Sequence, residues 1–189
     1  MSAPAETAQP FAVLISGTPG AGKTTLGWEL SRRLHVPFLS RDLMKTGIHV
    51  THRATDPNEF WRFAGVAFDI FYDTTTRLVQ SGVSVVAEAA FHTGRAEDSI
   101  AELSKSCDVI HLALTTPDPI ALERYTERAQ AGRRHPAHND IEFAAQMADG
   151  TKDVETYRLT LPYPTLAVDA SKDWQPGLDE IVTFIERSR

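Results

Sequence analysis

Residues 11–26 read Phe11-Ala12-Val13-Leu14-Ile15-Ser16-Gly17-Thr18-Pro19-Gly20-Ala21-Gly22-Lys23-Thr24-Thr25-Leu26. Phe11 to Ser16 is a short apolar run that ends in glycine, the pattern of a buried strand. From Gly22 onward Leu26, Leu30 and Leu34 recur at four-residue spacing, which puts them on one face of a helix. Between strand and helix, Gly17 to Thr24 fits G-x-x-x-x-G-K-S/T without a mismatch. Glycines let such a loop turn tightly and approach an anion with no side chain in the way. Successive backbone N–H groups then converge on one concavity, and the helix start adds the positive end of its dipole. The stretch predicts a site for a nucleoside triphosphate, ATP foremost, held by Gly17, Thr18, Pro19, Gly20, Ala21, Gly22, Lys23 and Thr24. Lys23 is placed to reach the outer phosphates and the Thr24 hydroxyl to ligate Mg2+, while Thr25 closes the loop.

Outward from this loop, strand and helix patterns alternate. Further strands are expected at Val36–Leu39, Val83–Ala87, Val109–Leu114 and Thr165–Val168. Helices are expected from near Asp42, over 57–81, 94–106, 117–131, 141–147 and 178–187. Five strands alternating with helices imply a three-layer α/β/α fold with a parallel sheet, and ligands outside the carboxyl ends of its strands.

The chain has 189 residues, which favours one compact domain, read as 11–189 behind a tail at 1–10. That tail has neither a basic start nor an apolar stretch, so no signal peptide is expected there. No apolar run approaches the roughly 20 residues that a membrane helix needs. A single cysteine, Cys107, suits a reducing compartment, and a cytoplasmic protein is expected. The formal net charge of -6 argues against a polyanionic partner such as nucleic acid. A monomer or homodimer is expected.

The phosphate loop serves GTPases, motor ATPases and small-molecule kinases alike. An N-K-x-D guanine motif is absent, and the chain is too short for the usual motor body. Ser40-Arg41-Asp42-Leu43-Met44-Lys45, just after the second strand, is more selective. Here the chain resembles the polynucleotide-kinase-like branch of the P-loop kinases, with its chloramphenicol phosphotransferase-like and zeta-toxin-like enzymes. The resemblance implies a transfer of the γ-phosphoryl group from ATP to a hydroxyl of a small molecule. It makes Asp42 the general base and gives Lys45, where the phage polynucleotide kinase type has arginine, a supporting role near the moving group. A carboxylate after the second strand also lies beside the phosphate loop in such a sheet, where the acceptor's proton must go.

Glu88 ends the third strand, and an acid there holds magnesium or substrate hydroxyls. Arg95, beyond it at a helix start, stands against the helix dipole, which points to an anion to bind. The acceptor region is expected over about 42–81, with Trp61 among its aromatic residues. Arg124, Arg128, Arg133, Arg134, His135 and His138 fall within a segment at about 124–140 that resembles the arginine-bearing lid of small kinases. By that resemblance Arg124 and Arg134 bind nucleotide, and Arg128 and Arg133 stabilise the charge on the transferring group. His135 and His138 lack a third ligand nearby and predict no zinc site. Three rival readings stay open: a 5'-hydroxyl nucleic-acid end kinase, a nucleotide-binding switch without catalysis, and a toxin-like kinase acting on a nucleotide sugar.

Overall fold

In a computed structural model of the chain, residues 9–52, 57–132, 135 and 138–189 are described, with 57–61 as backbone alone. The Phe11 run forms β1 (Phe11–Gly17), buried at every position. It is followed by α1 (Lys23–Leu34), β2 (Phe38–Ser40), α2 (Arg41–His52) and α3 (Pro57–Gln80). Then come β3 (Val85–Glu88), α4 (Glu97–Leu103), β4 (Asp108–Thr115), α5 (Asp118–Gln130) and α6 (Asp140–Ala148). A 3-10 turn (Glu155–Tyr157), β5 (Thr165–Asp169) and α7 (Leu178–Arg187) complete the chain.

The sheet is parallel throughout, in the order β2-β3-β1-β4-β5. Alternate residues of β1 feed opposite cores. Ala12 and Leu14 pack with Phe71, Val79, Ile100 and Leu103 of α3 and α4. Phe11, Val13 and Ile15 pack with Leu26, Leu30, Ile181 and Ile185 of α1 and α7. Burial on both faces explains why these strands read as continuous apolar runs. The chain leaves β1 on one side for β3 and β2 and returns on the other for β4. The order therefore reverses beside β1, which opens a crevice at the strand ends.

Some expected elements are shorter than the sequence pattern suggests: β2 begins at Phe38 rather than Val36, and β3 and α4 are trimmed as well. Val83 belongs to the exit of α3 rather than to β3, because its N–H donates to the Leu78 carbonyl at 2.9 Å across the Gly82 turn (φ 82°). Residues 94–96 form a turn before α4, where Glu97 accepts the Gly94 N–H at 2.9 Å and Gly94 takes φ 79°. Among the described residues no helix is long and apolar enough to cross a membrane.

Candidate active site at the phosphate loop

The loop between β1 and α1 is shaped by its glycines. Gly17 (φ 137°), Gly20 (φ 91°) and Gly22 (φ 86°) all hold left-handed backbone that side chains disfavour. A Cβ on Gly17 would stand 2.5 Å from the Leu114 carbonyl oxygen, and one on Gly20 would overlap that of Ala121. A Cβ on Gly22 would meet nothing within 4 Å, because that side of the loop faces open space. Helix α1 has no side-chain cap and no acid in its first turn, which suits its leading N–H groups to an anionic ligand. Lys23 folds back over the loop and donates to the Gly17 and Thr18 carbonyls at 2.8 and 3.0 Å. The Thr18 hydroxyl is buried with no hydrogen-bond partner. This cradle fits a triphosphate.

Glu88, only 3% exposed, sits at the mouth of the loop. Its Oε1 accepts the Thr24 hydroxyl at 3.2 Å and the Ser40 hydroxyl at 2.5 Å. Burial pushes its carboxyl above the ordinary range and Asp42 adds to the rise, while Lys23 and the two hydroxyls oppose it. A hydroxyl and a carboxylate that gains from a nearby cation are the hard oxygen donors that suit Mg2+.

Asp42 lies in the first turn of α2, and Arg41 donates to its Oδ1 at 2.9 Å. The Arg41 guanidinium rests over the Phe68 ring, 4.2 Å from its centroid. The Ser40 hydroxyl, not Asp42, takes the helix-start role, in a long contact of 3.5 Å from the Leu43 N–H. The Asp42 side chain, 38% exposed, lines the cavity. Thr46 links its carbonyl to the lid side: Thr46 donates to Asp42 O at 3.0 Å and stands 2.7 Å from His138 Nε2.

Loop, Glu88 and Asp42 share one cavity of about 720 Å³. Of the residues expected from sequence, Pro19, Gly20, Gly22, Lys23, Thr24, Thr25, Asp42, Lys45, Glu88, Arg95 and Arg128 line it. Arg128 stacks on Tyr125 (4.6 Å to the centroid) and faces Asp140 at 3.8 Å. Tyr125 in turn donates to Asp140 at 2.6 Å. Gly17, Thr18 and Ala21 lie behind the lining as the buried frame of the loop. Arg124 does not line the cavity: it donates to the Ala170 and Ser171 carbonyls at 2.7 and 2.6 Å, tying α5 to the end of β5. The Trp61 side chain, Arg133 and Arg134 lie outside the described residues. Lys152, Asp153, Thr156 and Tyr157 also line the cavity and were not anticipated. They come from an aperiodic stretch between α6 and β5 that carries no motif.

Residues 13–151 match the family model of an AAA domain, AAA_33. The chain belongs to this AAA-domain family. No curated protein matches the sequence. Among crystal structures, the AAA domain is similar to a provisionally named kinase from Chloroflexus aurantiacus, with 24% identity and a TM-score of 0.80 over 96% of this chain and 99% of that one. It is similar to the shikimate kinase of Acinetobacter baumannii at 22% identity and a TM-score of 0.54, over 97% and 96% of the two chains. A chain of the Pnkp1/Rnl/Hen1 RNA repair complex matches at 17% identity and a TM-score of 0.52, over 81% of this chain and 50% of that one. The fold is that of a P-loop kinase.

Proposed function

We propose that this AAA-domain protein is an ATP-dependent phosphotransferase whose acceptor is a hydroxyl of a small molecule, with Asp42 as general base. The observation that carries the reading is that the Asp42 carboxylate opens into the same cavity as Lys23 and Thr24. In the step, the acceptor oxygen bonds to the γ-phosphorus, the bond from that phosphorus to the ADP oxygen breaks, and the hydroxyl proton passes to Asp42. Lys23 and Arg128 offset charge on the moving group, with Arg133 and Arg134 as further lid donors. Thr24 and Glu88 would hold magnesium, which neutralises phosphate charge when bound. Lys45, Trp61 and Arg95 belong to the acceptor side. Residues 11–189 act as one unit, with the acceptor region at 42–81 and the lid at 124–140, in a reducing, cytoplasmic setting.

The test is a panel of nucleosides, sugars, hydroxy acids and hydroxylated antibiotics incubated with γ-labelled ATP. Label is expected on a small acceptor. Label on no acceptor, together with a large nucleotide-driven change of shape, would replace catalysis with a switch. The likeness to an RNA repair chain supports a second reading, a nucleic-acid end kinase. Tight, strongly salt-dependent oligonucleotide binding would favour it, whereas the net charge of -6 speaks for the small acceptor.

A further inference from the structure

The end of the cavity away from the phosphate loop has its own wall. It joins the turn after β3 (residues 90–95) to the segment after α6 (residues 151–157). The Thr93 N–H donates to the Thr156 carbonyl at 2.9 Å. Beside this bond the His92 and Tyr157 rings pack with centroids 4.6 Å apart.

Cations from three separate elements meet here: Arg41, Arg95 and Lys152 all line the cavity. Arg41 is committed to Asp42 and Phe68. Arg95 and Lys152 have no ion pair among the described residues. Arg95 is exposed, and the Lys152 ammonium lies over the Phe143 and Tyr157 rings at 5.0 and 5.9 Å. Burial first, then Lys152, Arg95 and Arg41, keep the His92 imidazole below its ordinary range and hence neutral. Asp153, the nearby acid, accepts the Glu155 N–H at 3.0 Å.

Asp42 has electrostatic neighbours at both ends of the cavity. Lys23 acts on Glu88, and Asp42 acts on both Glu88 and Tyr157. Lys152 and Arg95 act on His92. Asp42 therefore lies near both Glu88 beside the phosphate loop and Tyr157 of the wall, in the one cavity that all of them line. Arg95 and Lys152 bring two positive charges to this wall, and an anion there gains charge-assisted hydrogen bonds from both. The triphosphate already has Lys23 and the N-terminus of α1.

We propose that the acceptor carries an oxyanion, a carboxylate or a phosphate monoester, held by Arg95 and Lys152 against the His92–Tyr157 wall while its hydroxyl faces Asp42. This rests on the phosphotransferase reading and names the class of acceptor. The test uses the full chain, γ-labelled ATP and acceptors matched in carbon number: hydroxy acids, hydroxylated phosphomonoesters and neutral polyols. Transfer to one of the two charged sets is expected, at least about 100-fold better in kcat/KM than to the neutral match, and the set that wins identifies the anion. Arg95→Gln and Lys152→Gln should each raise acceptor KM about tenfold or more, the worth of one charge-assisted hydrogen bond. Lys105→Gln, which removes a remote surface charge, should not. Equal use of neutral acceptors overturns the proposal. So does a loss confined to affinity for a non-hydrolysable ATP analogue, which would hand the two cations to the donor.

If nothing is phosphorylated, the phosphotransferase reading fails, and a calorimetric titration still decides the anion site. Sulfate added to protein saturated with magnesium and the ATP analogue should bind once. That binding should vanish in the double variant. No binding, or binding unchanged in the double variant, sinks the oxyanion site.

Discussion

Ser40 and Glu88 are register partners at the ends of β2 and β3, and the Ser40 hydroxyl donates to Glu88 Oε1 at 2.5 Å. The pair puts a buried carboxylate beside Thr24, the residue that follows the loop lysine. Burial and Asp42 disfavour its charged form, while Lys23 and the two hydroxyls favour it. The two hydroxyls could be satisfied equally by a neutral amide oxygen.

Glu88→Gln therefore separates stability from binding. The variant should melt at pH 7 close to the temperature of the parent, because the desolvation cost of a buried charge and its attraction to Lys23 are lost together while the hydrogen bonds to the two hydroxyls remain. Its magnesium-dependent affinity for ATP should fall about 10- to 100-fold, the usual worth of a group that orients a metal's shell. Calorimetry with and without magnesium reads the second effect. Unchanged metal dependence would take Glu88 out of the metal site.

Asp42→Asn tests the base. The amide keeps the shape of the side chain but cannot accept the proton. Transfer should fall about 10²- to 10⁴-fold. The dissociation constant for ATP should stay within about threefold, because the loop and Lys23 carry that binding. Single-turnover kinetics beside equilibrium binding distinguishes the two. Full activity would remove Asp42 from the chemistry.

The β1–loop–α1 unit was legible because three signals agree over residues 11–34: an apolar run, a motif and a four-residue leucine spacing. Glu88 was legible as an acid at a strand end, but Ser40 as its partner was not. Their contact spans 48 residues and depends on the register of β2 against β3. The same reason hid Tyr157 and Lys152, which reach the cavity through a backbone bond between Thr93 and Thr156. Arg124 shows a contact that spacing alone does not reveal. Its four-residue spacing from Arg128 puts both on one side of α5, yet the guanidinium turns to the carbonyls after β5. Periodicity fixes which face a residue occupies, and the neighbours beyond that face decide what it binds.

The loop glycines offer a contrast between fold and ligand. Gly17→Ala drives a methyl against the Leu114 carbonyl in left-handed backbone. It should cost about 1–3 kcal/mol or more in unfolding free energy. Gly22→Ala meets open space and carries only the left-handed penalty, about 1–2 kcal/mol. Its methyl would stand where the phosphates approach. Denaturant unfolding should show Gly22→Ala as the milder change, and nucleotide titration should show that it nevertheless loses ATP binding. A Gly22→Ala protein with full affinity would mean that the phosphates pass elsewhere.

Beneath the loop, Ser16 Oγ stands 2.7 Å from His111 Nε2, and Thr165 Oγ1 stands 3.2 Å from His111 Nδ1. The three residues tie β1, β4 and β5 together with His111 fully buried. Burial pulls the His111 imidazole down to about 4, so it is neutral in the folded chain at neutral pH. An unfolded histidine titrates near 6.5. Because the folded value is depressed, the unfolded chain binds more protons between about pH 6.5 and 4, and stability must fall as pH drops through that window. The loss from this residue alone should reach about 2 kcal/mol by pH 5. His111→Gln can bond to the same hydroxyls and does not titrate. Its unfolding free energy should thus be flatter between pH 7 and 5 by about that amount, measured in denaturant at each pH. Parallel pH curves for the two proteins would show that His111 gains its proton without opening the sheet.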